Sequence, residues 1–242
     1  MNPFPIGVFD SGAGGLSVLL ACRALLPSED FIYLADTKNA PYGNKKDAEI
    51  LARVNVCCER LISLNCKAIV VACNTATGVG IKTLRERYAR PFVGLEPAIK
   101  PAIEAGIAGE IVLLCTEATA RQEKLLKLLS QFQIRHPSST VTVAPQKNLA
   151  ALIESHFADL ESIRPQVHDI LQTHKTAVAV VLGCTHYVFI REMIADFFRL
   201  HGCENPIFDG NAGAARRLKS LLKQGGLLTG KKTAGSVQLI FG

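Results

Sequence analysis

The chain has 242 residues, of which 48% are hydrophobic, and its 27 Lys and Arg against 21 Asp and Glu give a formal net charge of +6. The apolar fraction excludes an intrinsically disordered protein, and the length allows one large domain or two small ones. No stretch approaches the roughly 18 consecutive apolar residues of a spanning helix, and the N-terminus lacks the basic start and apolar run of a signal peptide. We therefore expect a soluble, cytoplasmic protein with no membrane partner.

The basic residues and the cysteines do not follow the patterns of nucleic-acid, zinc or disulfide proteins. Lys and Arg are scattered along the chain and aromatic residues make up only 6% of it, so we expect no nucleic-acid partner. The 8 cysteines include no C-x-x-C pair and are too sparse for a disulfide scaffold. We therefore expect reduced thiols and no metal site, and the positive charge suits a small anionic substrate.

Short apolar runs alternate with amphipathic stretches along the chain. The predicted strands are Ile6–Phe9, Phe31–Leu34, Ala68–Val71, Pro91–Val93, Ile111–Leu114, Val141–Val143, Ala177–Leu182 and Pro206–Phe208. Helical spacing of apolar residues predicts helices over Asp47–Asn65 and Thr119–Phe132. This alternation predicts an α/β fold with mostly parallel strands, in which ligands bind beyond the carboxyl ends of the strands.

Small and polar residues follow four of these predicted strands. The four turns begin Asp10-Ser11-Gly12, Cys73-Asn74-Thr75, Cys115-Thr116-Glu117 and Cys184-Thr185-His186. The second and fourth turns share the order of apolar run, small residue, cysteine and two hydrogen-bonding residues, and their cysteines lie 111 residues apart. This repetition indicates two related halves, each with one cysteine at a strand end. The alternative is a chance similarity of two short turns.

Two cysteines in matching contexts suit acid–base chemistry at a carbon atom. A thiol at the end of a strand and the start of a helix feels the positive helix terminus, which stabilises the thiolate. Its ordinary pKa of about 8.5 lies close enough to neutrality for a modest shift to make it a base. Residues that can bind a carboxylate follow the two sulfurs: Asn74, Thr75, Thr185 and His186. A pair of such bases facing one substrate from opposite sides is what stereochemical inversion requires.

The glycine-rich turn after the first strand has two interpretations. Gly12-Ala13-Gly14 begins a dinucleotide-binding pattern, but Ser17 replaces its last glycine and Asp10 is a poor neighbour for a pyrophosphate. The chain has neither a Walker loop nor a nucleophile elbow, and no lysine lies in a recognisable pyridoxal context, so we expect no cofactor. Asp10 is predicted either to cap the following helix or to belong to the site.

Six regions of the chain resemble the glutamate racemase family, within the wider aspartate/glutamate racemases. They are Phe9–Gly15, Asp36–Thr37 with Pro41–Gly43, Ala72–Ala76, Glu96–Pro97, Thr116–Thr119 and Leu182–Tyr187. The resemblance implies cofactor-independent interconversion of L- and D-glutamate, which supplies D-glutamate for peptidoglycan, cell wall biogenesis and cell shape in bacteria. It also implies two similar α/β domains, 1–97 plus 208–242 and 98–207, with the active site between them.

The same resemblance implies a role for each matching residue, with Cys73 and Cys184 as the acid/base pair. The implied substrate-binding residues are Asp10, Ser11, Tyr42, Gly43, Asn74, Thr75, Thr185 and His186. Asp10 and His186 are also expected to assist proton transfer, one beside each thiol. Supporting residues are Asp36, Thr119 and Glu154. The segment Leu149–Glu154 departs from the family's usual Phe-Val-Pro-Leu-Val-Glu, which weakens the match at Glu154.

Two alternatives of different classes stay open. A related racemase acting on aspartate or a hydantoin would keep both cysteines and alter the carboxylate-binding turn, whereas Pro41-Tyr42-Gly43 favours glutamate. A ligand-binding protein without activity would make both cysteines incidental. The residues interpreted as packing thiols are Cys22, Cys57, Cys58, Cys66 and Cys203, and those interpreted as exposed imidazoles are His136, His156, His168, His174 and His201. The expected partner is a small molecule, and a homo-oligomer is compatible with the sequence.

Overall fold

The computed structural model of the chain describes residues 2–242. Two compact units make up the fold, one of Met1–Glu96 with Asn211–Gly242 and one of Pro97–Gly210. The first boundary, predicted after residue 97, lies after residue 96, and the second, predicted after residue 207, lies after residue 210. Within the described residues, none of the helices has the length and apolar character needed to cross a bilayer.

The first unit is built on a five-stranded parallel sheet in the described part of the chain. Its strands are β1 (Ile6–Asp10), β2 (Phe31–Ala35), β3 (Ala68–Val71), β4 (Phe92–Gly94) and β9 (Val237–Phe241), in the order β4-β3-β1-β2-β9. Every residue of β1, β2 and β3 is buried, as expected when helices cover both faces of a parallel sheet. The sequence predicts the first four strands to within one residue at each end, and it misses β9.

Helices cover both faces of this sheet. They are α1 (Leu16–Leu25), α2 (Asp47–Ser63), α3 (Asn74–Arg87) and α10 (Asn211–Gln224), with short 3₁₀ helices at Thr37–Asn39 and Tyr42–Asn44. α1 and α10 pack together on one face, where Val18 and Leu218 join the strand residue Val8 in one buried cluster. α2 packs against α3 on the other, and Gly80 permits this approach because a Cβ there would lie 2.7 Å from a methyl carbon of Val54.

The second unit carries a four-stranded parallel sheet in the part of the chain that the structure describes. Its strands are β5 (Gly109–Thr116), β6 (Ser139–Gln146), β7 (Ala179–Gly183) and β8 (Ile207–Asp209), in the order β6-β5-β7-β8. Its helices are α4 (Ile99–Glu104), α5 (Glu117–Ala120), α6 (Glu123–Arg135), α7 (Leu149–Ser155), α8 (Arg164–Gln172) and α9 (Arg191–Leu200), with 3₁₀ helices at Leu160–Ile163 and Thr185–Ile190.

The prediction of one helix over Thr119–Phe132 is wrong. The chain forms the short helix α5 and then the longer helix α6, with Gln122 in an extended conformation between them. α5 begins where the Thr116 hydroxyl accepts a hydrogen bond from the Thr119 backbone N–H, at 3.2 Å. Thr119 is fully buried in α5, and this short helix packs at the end of β5 before α6 begins.

The two sheets share one topology, in agreement with the predicted two similar α/β halves. When the strands of each unit are numbered from the first, both sheets have the order 4-3-1-2, and β9 extends the outer edge of the first sheet. In each sheet the connections reverse direction between strands one and three, and doubly wound folds bind ligands at the carboxyl ends of such strands. The turns after β1 and β3, and those after β5 and β7, are therefore the places to look for a site.

The loop before β2 holds the start of β9 in place. Asp30 Oδ1 accepts hydrogen bonds from the backbone N–H of Ser236 at 2.8 Å and from its hydroxyl at 2.9 Å, and its Oδ2 pairs with Lys231. The hydrogen bond from Lys231 and that from the Ser236 backbone lower the pKa of Asp30 to about 2. The carboxylate is therefore ionised in the folded state at every pH at which an unfolded Asp is ionised.

We expect Asp30→Asn to lower the free energy of unfolding by about 1 kcal/mol at pH 7, since it removes a charge-assisted contact of a partly solvated group. The native pKa is depressed, so this stabilisation is present above the unfolded pKa and is lost as the pH falls from about 5 toward 2. Urea unfolding of the parent and the variant across this range measures it. The exposed Asp169 on α8 provides the matched control, Asp169→Asn. A difference between parent and Asp30→Asn that stayed constant with pH would contradict the assignment.

Candidate active site

The turns that follow β1 and β3 bring Asp10, Ser11 and Cys73 together in the first unit. Ser11 Oγ lies 3.7 Å from Cys73 Sγ and 3.4 Å from Asp10 Oδ1. β1 and β3 pair in parallel with Phe9 opposite Val71, so residues one or two positions beyond this pair meet at the same edge of the sheet. All three side chains are buried, with Cys73 6% exposed. The Cys73 thiol thus joins the Asp10 carboxylate and the Ser11 hydroxyl in one cluster, although Cys73 lies 62 residues after Ser11 in the sequence.

The Asp10 carboxylate organises the glycine-rich turn before α1. Its Oδ1 accepts a hydrogen bond from the Ser11 backbone N–H at 2.7 Å, and its Oδ2 accepts one from the backbone N–H of Gly15. Gly15 is itself the N-cap residue of α1 and makes no side-chain capping bond. A Cβ at Gly15 would lie 2.6 Å from that of Asp10, so only glycine leaves room for the carboxylate in this turn. The carboxylate therefore holds the backbone that leads into α1, and its membership of the site stays a prediction.

Cys73 is the N-cap residue of α3, as the predicted helix start requires. Its Sγ accepts a hydrogen bond from the Ala76 backbone N–H at 3.5 Å. Free N–H groups and the helix dipole favour negative charge at this end of a helix, and they stabilise a thiolate there. Thr77 ties the same turn to the sheet, because its hydroxyl donates to the Val71 carbonyl at 3.0 Å and accepts from the Leu95 N–H at 2.9 Å.

The Asn74 side chain leaves an acceptor unused beside Cys73. Its Nδ2 donates to the Leu95 carbonyl at 3.2 Å, while its Oδ1 is buried and has no hydrogen-bond partner within the described residues. A buried polar atom without a partner costs free energy, so such atoms are rare in folded proteins. Asn74 Oδ1 is therefore suited to a ligand that donates a hydrogen bond, such as an ammonium group.

Tyr42 and Gly43 lie in the buried 3₁₀ helix Tyr42–Asn44, and Tyr42 is held by Asp36. The Tyr42 hydroxyl donates to Asp36 Oδ2 at 2.6 Å. Burial, this hydrogen bond and the negative charge of Asp36 raise the pKa of Tyr42 far above its usual range. Tyr42 therefore keeps its proton, and its 3₁₀ helix packs against α3, whose N-cap residue is Cys73.

In the second unit, Cys184, His186 and Glu154 form a chain of polar groups. Cys184 Sγ lies 3.8 Å from His186 Nδ1, and His186 Nε2 pairs with Glu154 Oε2. Cys184 and His186 are 8% and 5% exposed. Glu154 comes from α7, which packs on the 3₁₀ helix Thr185–Ile190. With its Nε2 proton directed at the carboxylate, the imidazole presents the Nδ1 lone pair to the sulfur and can accept the thiol proton.

The segment after Cys184 is not the α-helix start that the sequence predicts for both cysteines. Cys184 is the N-cap residue of the 3₁₀ helix Thr185–Ile190, it makes no side-chain capping bond, and α9 begins only at Arg191. A short 3₁₀ helix aligns fewer peptide dipoles than α3 does, so it stabilises a thiolate less. Near Cys184 the neighbouring group is instead the imidazole of His186, whose Nδ1 lies 3.8 Å from the sulfur.

Two threonines lie at the carboxyl end of β5, the neighbour of β7: Thr116 is its last residue and Thr119 lies in α5. The Thr116 hydroxyl donates to Thr119 Oγ1 at 3.0 Å, and both residues are buried. Cys115, one residue earlier, is a packing thiol, because burial and the charge of Cys184 raise its pKa to about 12. A Cβ at Gly183 would lie 2.9 Å from that of Cys115, so a glycine must precede Cys184.

Each unit contains one of the two predicted acid/base thiols and some of the other predicted site residues. Asp10, Ser11, Asp36, Tyr42, Gly43, Asn74 and Thr75 lie with Cys73 in the first unit, and Thr119, Glu154, Thr185 and His186 lie with Cys184 in the second. Sequence reasoning missed Arg53 and Asn39, which both donate to Asp36. A signal for Arg53 was available, since it lies on the apolar face of α2 between buried Ile50 and buried Cys57 at helical spacing.

The remaining cysteines and histidines lie outside these clusters. Four of the five predicted packing thiols are buried, and Cys203 is half-buried. Burial raises the pKa of Cys22 and Cys57 to about 12. The prediction of exposed imidazoles is wrong for three of the five: His136, His168 and His174 are half-buried. The reason is that an imidazole has an apolar ring face, as the edge contact of His168 with Phe197 illustrates. Among residues 2–242, no three His, Cys, Asp or Glu side chains are placed to hold a metal ion.

Comparisons with known proteins identify racemases as similar to this chain. The family model described as Asp/Glu/hydantoin racemase matches residues 16–218. The glutamate racemase of Clostridium botulinum is 39% identical over 241 residues, which cover 99% of this chain and 91% of that protein. The crystal structure of glutamate racemase from Francisella tularensis in complex with D-glutamate has 28% identity and a TM-score of 0.80, covering 99% of this chain and 89% of that one. The Escherichia coli glutamate racemase, in complex with L-glutamate and the activator UDP-MurNAc-ala, has 27% identity and a TM-score of 0.83, covering 99% of each chain.

We expect Glu154→Gln to slow alkylation of Cys184 by iodoacetamide roughly 3- to 10-fold, because the variant loses a charge-assisted hydrogen bond of about 1 kcal/mol that favours the imidazolium–thiolate pair. Alkylation of Cys73 is expected to stay at the parent rate. Peptide mapping by mass spectrometry follows the two thiols separately. The matched control is Glu204→Gln, at an exposed position in the same unit. An equal slowing at both thiols, or none at Cys184, would contradict the pairing.

Proposed function

The chain belongs to the Asp/Glu/hydantoin racemase family of isomerases, and on that premise we propose that it interconverts L- and D-glutamate without a cofactor. One observation carries the proposal. Each of two sheets with the same topology presents a buried thiol after its third strand, and a proton-accepting or hydrogen-bonding side chain lies within 4 Å of each sulfur. The names of the compared relatives, together with the D- and L-glutamate in two of the solved structures, support glutamate as the substrate.

The polar groups around the thiols match the charges of glutamate. The ammonium group of the substrate requires acceptors, which Asp10 and the unpartnered Asn74 Oδ1 supply. The two carboxylates require donors, for which the buried hydroxyls of Ser11, Thr75 and Thr185 are suited. The net charge of +6 adds a general attraction for an anionic substrate.

The proposed reaction moves one proton on and one proton off the same carbon. One cysteine begins as a thiolate and takes the α-proton, so the C–H bond breaks and its electron pair stays on the carbon, delocalised into the α-carboxylate. The other cysteine begins as a thiol and delivers its proton to the opposite face, which forms the new C–H bond. The enzyme ends with the two protonation states exchanged and is ready for the reverse reaction. This mechanism requires that both thiols act on one bound substrate.

Different groups prepare the two thiols for this reaction. Near Cys73 the helix terminus of α3, Ser11 and the carboxylate of Asp10 are available, and near Cys184 the imidazole of His186 is available. By family resemblance we assign Cys73 to D-glutamate and Cys184 to L-glutamate. Cys184 then passes its proton to an imidazole that Glu154 orients, which gives Glu154 the supporting role expected from its position.

The same proposal places the enzyme in bacterial cell-wall synthesis. D-Glutamate is a component of peptidoglycan, and the compared relatives are glutamate racemases of bacteria. We therefore propose that the protein supplies D-glutamate for peptidoglycan in the cytoplasm and so contributes to cell wall biogenesis and cell shape. No cofactor takes part in this proposal.

We expect the purified protein, with reduced thiols and no added cofactor, to bring the circular dichroism of both L- and D-glutamate to zero. Iodoacetamide treatment should abolish the activity, since both bases are thiols. Parallel assays with aspartate and a hydantoin test the related substrates. Racemisation of aspartate or a hydantoin without activity on glutamate would contradict the proposed substrate. A requirement for added pyridoxal phosphate would contradict the proposed chemistry.

A further inference from the structure

Arg53 on α2 binds the Asp36 carboxylate through two nitrogens of its guanidinium group. Its Nε donates to Asp36 Oδ2 at 2.9 Å and its terminal nitrogen donates to Oδ1 at 2.8 Å. The Asp36 side chain is 3% exposed and that of Arg53 is 31% exposed. Such a two-point contact fixes the plane of the carboxylate as well as its position, which a lysine ammonium cannot do.

The buried Asp36 carboxylate needs these donors in order to stay ionised. Burial alone would raise the pKa of Asp36, but the hydrogen bonds from Arg53, Tyr42 and Asn39 outweigh it and lower the pKa. Because Asp36 Oδ2 accepts both from Arg53 and from the Tyr42 hydroxyl, the orientation of the guanidinium sets the point toward which that hydroxyl is directed.

The edge strand β9 holds the other side of the same turn. The Gly242 carbonyl accepts hydrogen bonds from the Thr37 hydroxyl at 2.6 Å and from the Lys38 backbone N–H at 3.0 Å. Asn39 closes the turn by donating to Asp36 Oδ1 at 2.9 Å. The segment from Asp36 to Tyr42 is therefore held on two sides, and Arg53 is the contact from α2 to its buried carboxylate.

Tyr42 connects these contacts to the helix that begins after the Cys73 thiol. Its ring is buried against Phe9, with ring centroids 6.3 Å apart, and its 3₁₀ helix packs against α3, whose N-cap residue is Cys73. Gly43, an expected substrate-binding residue, follows Tyr42 in the same 3₁₀ helix. A rotation of Asp36 would thus displace Tyr42 and Gly43 together.

We propose that Arg53 is a positioning residue for the proposed racemase reaction, which acts through Asp36 to fix Tyr42 and Gly43 beside Cys73. It acts through these residues and makes no proton transfer itself. This inference rests on the proposed function, because its test reads out racemisation.

The test compares Arg53→Met, Arg53→Lys, Tyr42→Phe and the double variant Arg53→Met with Tyr42→Phe. We expect Arg53→Met to lose roughly 10- to 100-fold in kcat/KM for glutamate, the range expected when a positioned group shifts by an ångström or less. Arg53→Lys should recover part of the loss, since it restores the charge without the two-point contact. The double variant should be no slower than the slower of the two single variants, because both changes disrupt the same chain of contacts through Asp36 and Tyr42. Tm is measured for each variant, and all assays are run well below the lowest Tm.

Arg60→Met provides the matched control, since Arg60 lies on the exposed face of the same helix. Arg53→Met with the activity of this control would overturn the proposal. So would losses that multiply in the double variant, or an Arg53→Lys variant as slow as Arg53→Met. If Arg53→Met does not fold, the double variant Arg53→Lys with Tyr42→Phe is compared with its two single variants instead, and the same result is expected. A parent enzyme inactive on glutamate would overturn the proposed function, and with it this inference, so the parent assay separates the two failures.

Discussion

Parallel pairing of the first and third strands is the constraint on which the rest of the structure depends. In the first unit this pairing sets Phe9 opposite Val71, and in the second it sets Cys115 opposite Gly183. The next residues along each chain then meet at one edge of the sheet, whatever their separation in sequence. Because the strands are buried on both faces, the register cannot slip without moving apolar side chains into water. The position of each thiol is therefore set by the core, while the turns are free to carry polar groups.

The two units apply this geometry with different chemistry around the sulfur. Cys73 lies at the N-terminus of a 14-residue helix and accepts a backbone hydrogen bond there. Cys184 precedes a 3₁₀ helix of six residues and depends on the imidazole of His186, which Glu154 orients. A helix terminus is a fixed source of positive potential, whereas an imidazole gains and loses a proton. Two halves with one topology thus surround their thiols with different polar groups.

Much of the fold and of the site could be predicted from the sequence, and the omissions have physical causes. The buried strands β1 to β4 appear as continuous apolar runs, so their bounds were predicted closely. β9 lies at the edge of the sheet with Leu239 and Phe241 exposed, and its apolar pattern is too short to distinguish from a loop. The break between α5 and α6 lies at Gln122, whose extended backbone has no signature in the apolar periodicity. Arg53 was missed although it lies among buried residues of α2, because its partner is a carboxylate 17 residues earlier in the sequence.

The most direct test of the two-thiol account is proton NMR of L- and D-glutamate in deuterated buffer with Cys73→Ala and with Cys184→Ala. Each variant is expected to lose racemisation by at least about 10²- to 10⁴-fold, the usual contribution of a positioned acid or base. The remaining thiol should still exchange the α-proton of its own enantiomer, so that Cys73→Ala exchanges L-glutamate and Cys184→Ala exchanges D-glutamate. Near-normal racemisation by either variant, or exchange of the same enantiomer by both, would contradict the account.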